Sequence, residues 1–171
     1  MLDVLLVGAE ELENLGTRYL AAVLRQHGWS VELASFSTAR ELDAVVRREE
    51  AVRPRLVGLS VIFQYRAPEF LALAVELKRI LPEVHITTGG HFATFTAAEL
   101  LRDNAALDSV VRGEGEYTLL DLVQRLNSPE AWATVYAHDL RPGAAAHDHP
   151  NPNDDTGVTV DTRVNVDAHD L

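Results

Sequence analysis

From the amino end, short apolar runs alternate with longer segments in which apolar residues recur every three or four positions. Leu2 to Gly8 is apolar apart from Asp3, the pattern of a strand covered on both faces of a parallel sheet. Leu15 to His27 predicts a helix with Leu15, Tyr19, Leu20, Val23 and Leu24 on one face and Gly28 at its stop. Ser30 to Phe36, with Val31, Leu33 and Phe36 as its apolar positions, predicts an outer strand. Thr38-Ala39-Arg40-Glu41 has the form of a capping box and opens a second helix to about Glu50, with Leu42, Val45 and Val46 inward. Beyond Pro54, Leu56 to Ile62 is a second buried strand. Pro68 then suits the first turn of a helix that turns Phe70, Leu71, Ala74, Leu77 and Leu81 to the core. Val84 to Thr88 is the fourth strand, and Thr96-Ala97-Ala98-Glu99 caps a short helix to about Asn104. A fifth strand, Ser109 to Arg112, and a turn, Gly113 to Glu116, lead to a closing helix from Tyr117 to Leu126. Its apolar side carries Leu119, Leu120, Leu122, Val123 and Leu126.

Five strands alternating with five helices imply an α/β fold, because parallel neighbours need crossover helices. The expected form is a doubly wound, five-stranded parallel sheet of order 2-1-3-4-5, Rossmann-like and flavodoxin-like. Its ligand cleft lies at the carboxyl ends of the first, third and fourth strands. The fourth of these runs into Gly89-Gly90, where positive φ and the missing side chains let a ligand approach the backbone.

This domain occupies residues 1–126, and composition changes after it. Residues 127–171 hold four of the seven prolines, four of the seven histidines, eight acidic residues and two arginines. Their net charge is therefore −6, which leaves −5 of the total −11 for residues 1–126. Trp132 to Tyr136 and Val158 to Val166 are candidate extended pieces, and in the second Val158, Val160, Val164 and Val166 share one period-two face. They are expected to form a β-hairpin on the domain, or to pair two copies into a homodimer.

The acidic balance argues against a nucleic-acid partner. No apolar run has the length of a membrane span, and Met1-Leu2-Asp3-Val4 lacks a basic signal-peptide start, so a cytoplasmic protein without a membrane partner is expected. Cysteine is absent from all 171 residues, which removes disulfides, thiolate nucleophiles and thiolate-held zinc or iron–sulfur clusters. His147-Asp148-His149 near Asp154 and Asp155 has no spacing that defines a metal geometry, so no metal site is assigned.

Three loops meet at the expected cleft: Glu11-Leu12-Glu13-Asn14-Leu15-Gly16, Ser60-Val61-Ile62 and Gly89-Gly90. Forty-three residues separate Gly16 from Ser60, and 26 separate Ile62 from Gly89. The set resembles the cobalamin-binding domain family, whose pattern is D-x-H-x-x-G, then S-x-L, then G-G at similar intervals. Glu13-Asn14-Leu15-Gly16, Gly58-Leu59-Ser60, Phe63-Gln64-Tyr65, Gly89 to Thr94 and Arg112 to Glu116 are nearest to the amino-terminal domain of cobalamin-dependent radical SAM enzymes. The resemblance covers roughly residues 2–126. It implies that Ser60, Gly89 and Gly90 line a slot for the nucleotide tail of cobalamin, with Gly16 at the first loop and Ser60 donating to a tail nitrogen. Glu13, Asn14, Ile62, Gln64, His91 and Gly113 complete the implied cofactor-binding set.

Two positions depart from the family. Glu13 stands where the family's cobalt-ligating histidine falls and Glu11 where its aspartate falls, so corrin is expected to bind without histidine axial ligation. The three-cysteine motif and its barrel are also missing, so no iron–sulfur cluster or radical SAM chemistry is expected of this chain. The functional reading is a stand-alone cobalamin-binding module, a carrier or accessory to a partner methyltransferase or radical enzyme. A second reading is a cofactor-independent isomerase, cyclase or lyase of secondary metabolism, with Glu11, Glu13, Tyr65 and His91 moving protons on a small-molecule ligand. A third is a non-catalytic interaction module.

Overall fold

The computed structural model describes residues 2–9, 14–127 and 160–162. Five parallel strands, β1 (Val4–Gly8), β2 (Val31–Ser35), β3 (Leu56–Ser60), β4 (His85–Gly89) and β5 (Ser109–Val111), form a sheet of order 2-1-3-4-5, the order expected. Between them run the helices α1 (Leu15–Gln26), α2 (Leu42–Val52), α3 (Ala67–Ile80), α4 (His91–Phe95) and α5 (Ala97–Asp103), and α6 (Glu116–Leu126) follows β5. A three-residue strand, β6 (Val160–Thr162), adds antiparallel to the free edge of β5. Part of the expected extended piece thus caps the sheet edge; the other proposed hairpin strand, Trp132 to Tyr136, lies outside the described residues. Among the described residues no helix is long and apolar enough to cross a membrane.

Strand register divides the core in two. Leu5, Val7, Val57, Leu59, Ile86 and Val110 face the helices α2 to α5. On the other face Val4, Leu6, Leu56 and Val111 pack against α1 and α6, which contribute Ala21, Leu24, Leu119, Leu122 and Val123. Among the described residues, α1 and α6 are the helices that cover this second face. Its strand ends carry small residues, Gly8, Gly58, Ser60, Thr87 and Gly89, aligned across neighbouring strands.

Local details differ from the expected pattern for identifiable reasons. In α1 the buried residues are Thr17, Ala21 and Leu24, while Leu15 and Tyr19 are 53% and 61% exposed. The Thr17 hydroxyl is buried without penalty because it donates to the Asn14 carbonyl at 3.0 Å. Glu41 closes its turn on the Ser37 amide at 2.7 Å, one residue before the expected partner. Thr96 makes no side-chain cap; a short helix, α4, precedes it, and its hydroxyl donates to the Phe92 carbonyl in that helix at 2.9 Å. Arg66, absent from the expected core, is buried between Phe36 and Phe70, its guanidinium carbon 5.8 and 5.7 Å from the ring centroids. It donates to the Phe36 carbonyl at 3.0 Å and to the Ser37 carbonyl, and pairs with Glu69 at 2.9 Å. This anchors the loop after β3 to the one after β2.

Candidate functional site

Where α1 and α6 diverge over the carboxyl ends of β3 and β4, an open cleft of about 290 Å³ remains. Leu6, Gly58 and Thr87 are its strand-face floor, Leu15 and Leu20 of α1 stand on one side, and Val111 and Leu119 on the other. Ser60, Ile62, Phe63, Gly89 and Gly90 border the mouth, with Gly113 to Glu116 opposite α1. The walls are thus mostly apolar, and among the described residues no side chain plugs the opening.

The glycines here are small for different reasons. A Cβ on Gly58 would sit 2.7 Å from Leu6 Cδ2, so this glycine admits a neighbouring leucine. Gly89 lies close to Val111, whose carbonyl oxygen would be 3.2 Å from such a Cβ. At Gly16 the nearest atom would be Asn14 Oδ1, at an ordinary 3.5 Å, and no positive φ is required. Neither packing nor backbone conformation within the described protein demands glycine at 16, which faces the cleft.

Two hydroxyl-bearing residues of the strand ends, Thr87 and Ser60, line this space with different freedom. Thr87 is held by a buried ladder: Ser109 Oγ donates to Thr87 Oγ1 at 2.9 Å, and Thr87 Oγ1 donates to the Ser109 carbonyl at 3.3 Å. Because the Ser109 proton is committed, His85 Nε2, 2.8 Å away, must be the donor to Ser109 Oγ. Burial drives the His85 pKa down to about 4, against the Asp108 carboxylate and with the Lys78 ammonium, so the ring is neutral at pH 7. The Thr87 methyl remains toward Gly58, and the floor is apolar. Ser60, half-buried at the mouth, instead meets Asn14 Nδ2 at 3.4 Å.

Of the sequence-predicted residues, Asn14, Gly16, Ser60, Ile62, Gly89, Gly90 and Gly113 line the cleft together. Gln64, Tyr65 and His91 do not line it. Tyr65, 71% exposed, stacks on Phe63 at 5.6 Å, and His91 meets Phe95 edge-on at 5.1 Å. Glu11 and Glu13 lie outside the described residues. The lining also includes Phe63, from the Phe63-Gln64-Tyr65 motif, and Leu6, Leu20, Thr87 and Val111, which the motifs did not single out. Period-two register would have found three of them: Leu6, Thr87 and Val111 each stand two residues from a glycine at or just after a strand end.

Residues 1–123 match the family described as B12 binding domain. The chain belongs to the B12-binding domain family. This B12-binding domain is 35% identical over 116 residues to the hopanoid C-3 methylase of Methylococcus capsulatus, an alignment covering 67% of this chain and 22% of the methylase. Among solved structures it is similar to the cobalamin-dependent S-adenosylmethionine radical enzyme OxsB with aqua-cobalamin and S-adenosylmethionine bound. That similarity has a TM-score of 0.62 and 26% identity, and covers 74% of this chain and 19% of the enzyme. A cobalamin-binding protein from Desulfitobacterium hafniense shares the fold at TM-score 0.59 and 14% identity, over 74% of this chain and 59% of that one. The B12-binding domain spans about a fifth of the length of its curated relatives.

Proposed function

We propose that this B12-binding domain holds cobalamin with the nucleotide tail extended into the cleft between α1 and α6, and presents it to a partner methyltransferase or radical enzyme. The observation that carries the reading is an open, apolar-floored slot whose mouth is bordered by Gly16, Ser60, Gly89 and Gly90. At about 290 Å³ it lies at the small end of ligand pockets, the size for a flat bicyclic base rather than a whole macrocycle. Leu6, Leu20, Val111 and Leu119 would enclose the base, and Ser60 would donate to its ring nitrogen. The corrin would then rest on the carboxyl edge of the sheet, where Ile62 and Phe63 offer partly exposed apolar surface. Bound cobalt supplies the capacity to carry a methyl group. The residue where the family places its axial histidine is Glu13, so the corrin is held by its tail and edges without a histidine from that loop. The acid–base reading is not carried forward, because Tyr65 and His91 stand away from the cleft.

Titration with hydroxocobalamin tests this directly. A change in the visible spectrum and corrin co-eluting with protein on gel filtration are expected; protein emerging colourless would reject the reading.

Gly16 gives a second, more diagnostic result. Gly16→Ala is expected to raise the urea stability of the corrin-free protein by up to about 1 kcal/mol, since alanine is the better helix former and no described atom comes closer to its methyl than ordinary contact. The same methyl takes up cleft space and should weaken cobalamin by roughly fivefold, the equivalent of mild overpacking of about 1 kcal/mol. If stability and affinity fall together, Gly16 serves the fold and not the ligand.

A further inference from the structure

The polarity of the cleft mouth is set by Asn14. This residue is 3% exposed and lies over Gly8, where an added Cβ would sit 2.4 Å from Asn14 Nδ2; the glycine ending β1 makes room for the amide. At the head of α1, Asn14 Oδ1 accepts from the Thr17 amide at 3.2 Å. A backbone N–H can only donate, so the amide's oxygen must face Thr17 and its nitrogen must face Ser60. Ser60 Oγ therefore accepts from Asn14 Nδ2 at 3.4 Å. A hydroxyl has one proton, and among the described residues the Ser60 proton has no acceptor, so it is available to the cleft. An acceptor there would polarise Ser60 and strengthen the long Asn14 contact.

We infer that Asn14 is a positioning residue that leaves the Ser60 proton free to donate toward the cleft, so that the site favours a tail base bearing an unprotonated ring nitrogen. This rests on the cobalamin reading above. The benzimidazole of cobalamin offers such a nitrogen once the tail leaves the cobalt; a phenol tail base has none. The floor cannot substitute, because the Thr87 proton is committed to the Ser109 carbonyl.

The test is Asn14→Asp, measured with cobalamin and with a phenol-based cobamide. A carboxylate caps the Thr17 amide as well as the native amide does, and it accepts the Ser60 proton, leaving only lone pairs toward the cleft. Cobalamin should weaken about tenfold or more in N14D, while the phenol-based cobamide should change less than about twofold. Because each ligand is compared between proteins, the cost of detaching the base from cobalt cancels, and both ligands carry the same tail phosphate. Unchanged cobalamin affinity in N14D, or an equal loss for both cobamides, overturns the inference. If neither cobamide binds the wild-type protein, the cobalamin reading fails with it.

Discussion

Taking the ligand-free protein from pH 7 to pH 4 should remove about 3 kcal/mol of stability through His85 alone. The side chain is 6% exposed at the start of β4, and burial depresses its native pKa from 6.5 to about 4. In the unfolded chain the ring regains its ordinary value near 6.5. Between these values the unfolded state binds more protons, so stability rises with pH across the window and falls as the solution is acidified. The contribution is present above about pH 6.5, declines as the pH falls through 4 and levels off about one pH unit lower. A difference of 2.5 in pKa, at about 1.4 kcal/mol each, gives roughly 3.5 kcal/mol in full, of which about 3 is lost by pH 4, where the native ring is half protonated. Lys78 and Asp108, joined at 2.7 Å, are the charged groups acting on the ring; the carboxylate favours the imidazolium and the ammonium opposes it. Urea midpoints at pH 7, 5.5 and 4 for wild type and His85→Gln provide the measurement. Glutamine can still donate to Ser109 but does not titrate, so the wild type alone should lose stability across the window. Parallel pH profiles would mean that His85 protonates without unfolding pressure.

The same residue shows where sequence pattern stops. Strand β4 was legible from its β-branched run and the glycine pair after it, and its position beside β3 follows from the crossover rules that give the order 2-1-3-4-5. The mouth was legible too: Asn14, Gly16, Ser60, Gly89 and Gly90 all border the cleft. What lay beyond reach depends on register between strands distant in the chain. His85, Ser109 and Thr87 form one buried ladder only because Thr87 aligns with Ser109. No periodicity within either segment encodes that alignment. The facing of α1 was hidden for a related reason. A helix beside a cleft keeps apolar residues, such as Leu15 and Leu20, where a packed helix would bury them, so the apolar stripe spreads across core and cleft. The short α4 follows a glycine whose conformation starts the turn, and five residues carry too little periodicity to announce a helix.

These observations place the cleft and the fold under one constraint. The face covered by α1 and α6 carries small strand residues at its carboxyl end, so the helices can separate there while remaining packed at the other end through Val4, Leu24, Leu56 and Leu122. Loops from β3 and β4 must then meet over the opening without filling it. The Thr94 hydroxyl assists: it donates to the Gly90 carbonyl at 3.0 Å and accepts the Gly113 amide at 3.1 Å, tying the loop after β4 to the loop after β5.

Gly90 is the point at which that loop tolerates least change. Gly90→Ala should lower stability by roughly 2–6 kcal/mol, combining a strained conformation of about 1–3 kcal/mol with a steric overlap of similar size. Gly90 adopts φ +103° and ψ 179°, a region open essentially to glycine alone. Its added Cβ would lie 2.8 Å from the Val61 carbonyl oxygen and 3.0 Å from the carbonyl carbon. Neither atom belongs to a side chain that can rotate away. The Val61 amide is itself bonded to the Gly89 carbonyl at 2.8 Å, which locks the ends of β3 and β4 together. Gly28→Ala separates the two causes. Gly28 also has positive φ, +87°, but nothing lies within 4 Å of its added Cβ. That variant should lose only the conformational part, about 1–2 kcal/mol. Urea unfolding of both variants measures the difference. Equal losses would show that the approach of Gly90 to Val61 carries no energetic weight, whereas a larger loss at Gly90, with corrin retention reduced as well, ties the rigidity of the cleft mouth to its capacity to bind.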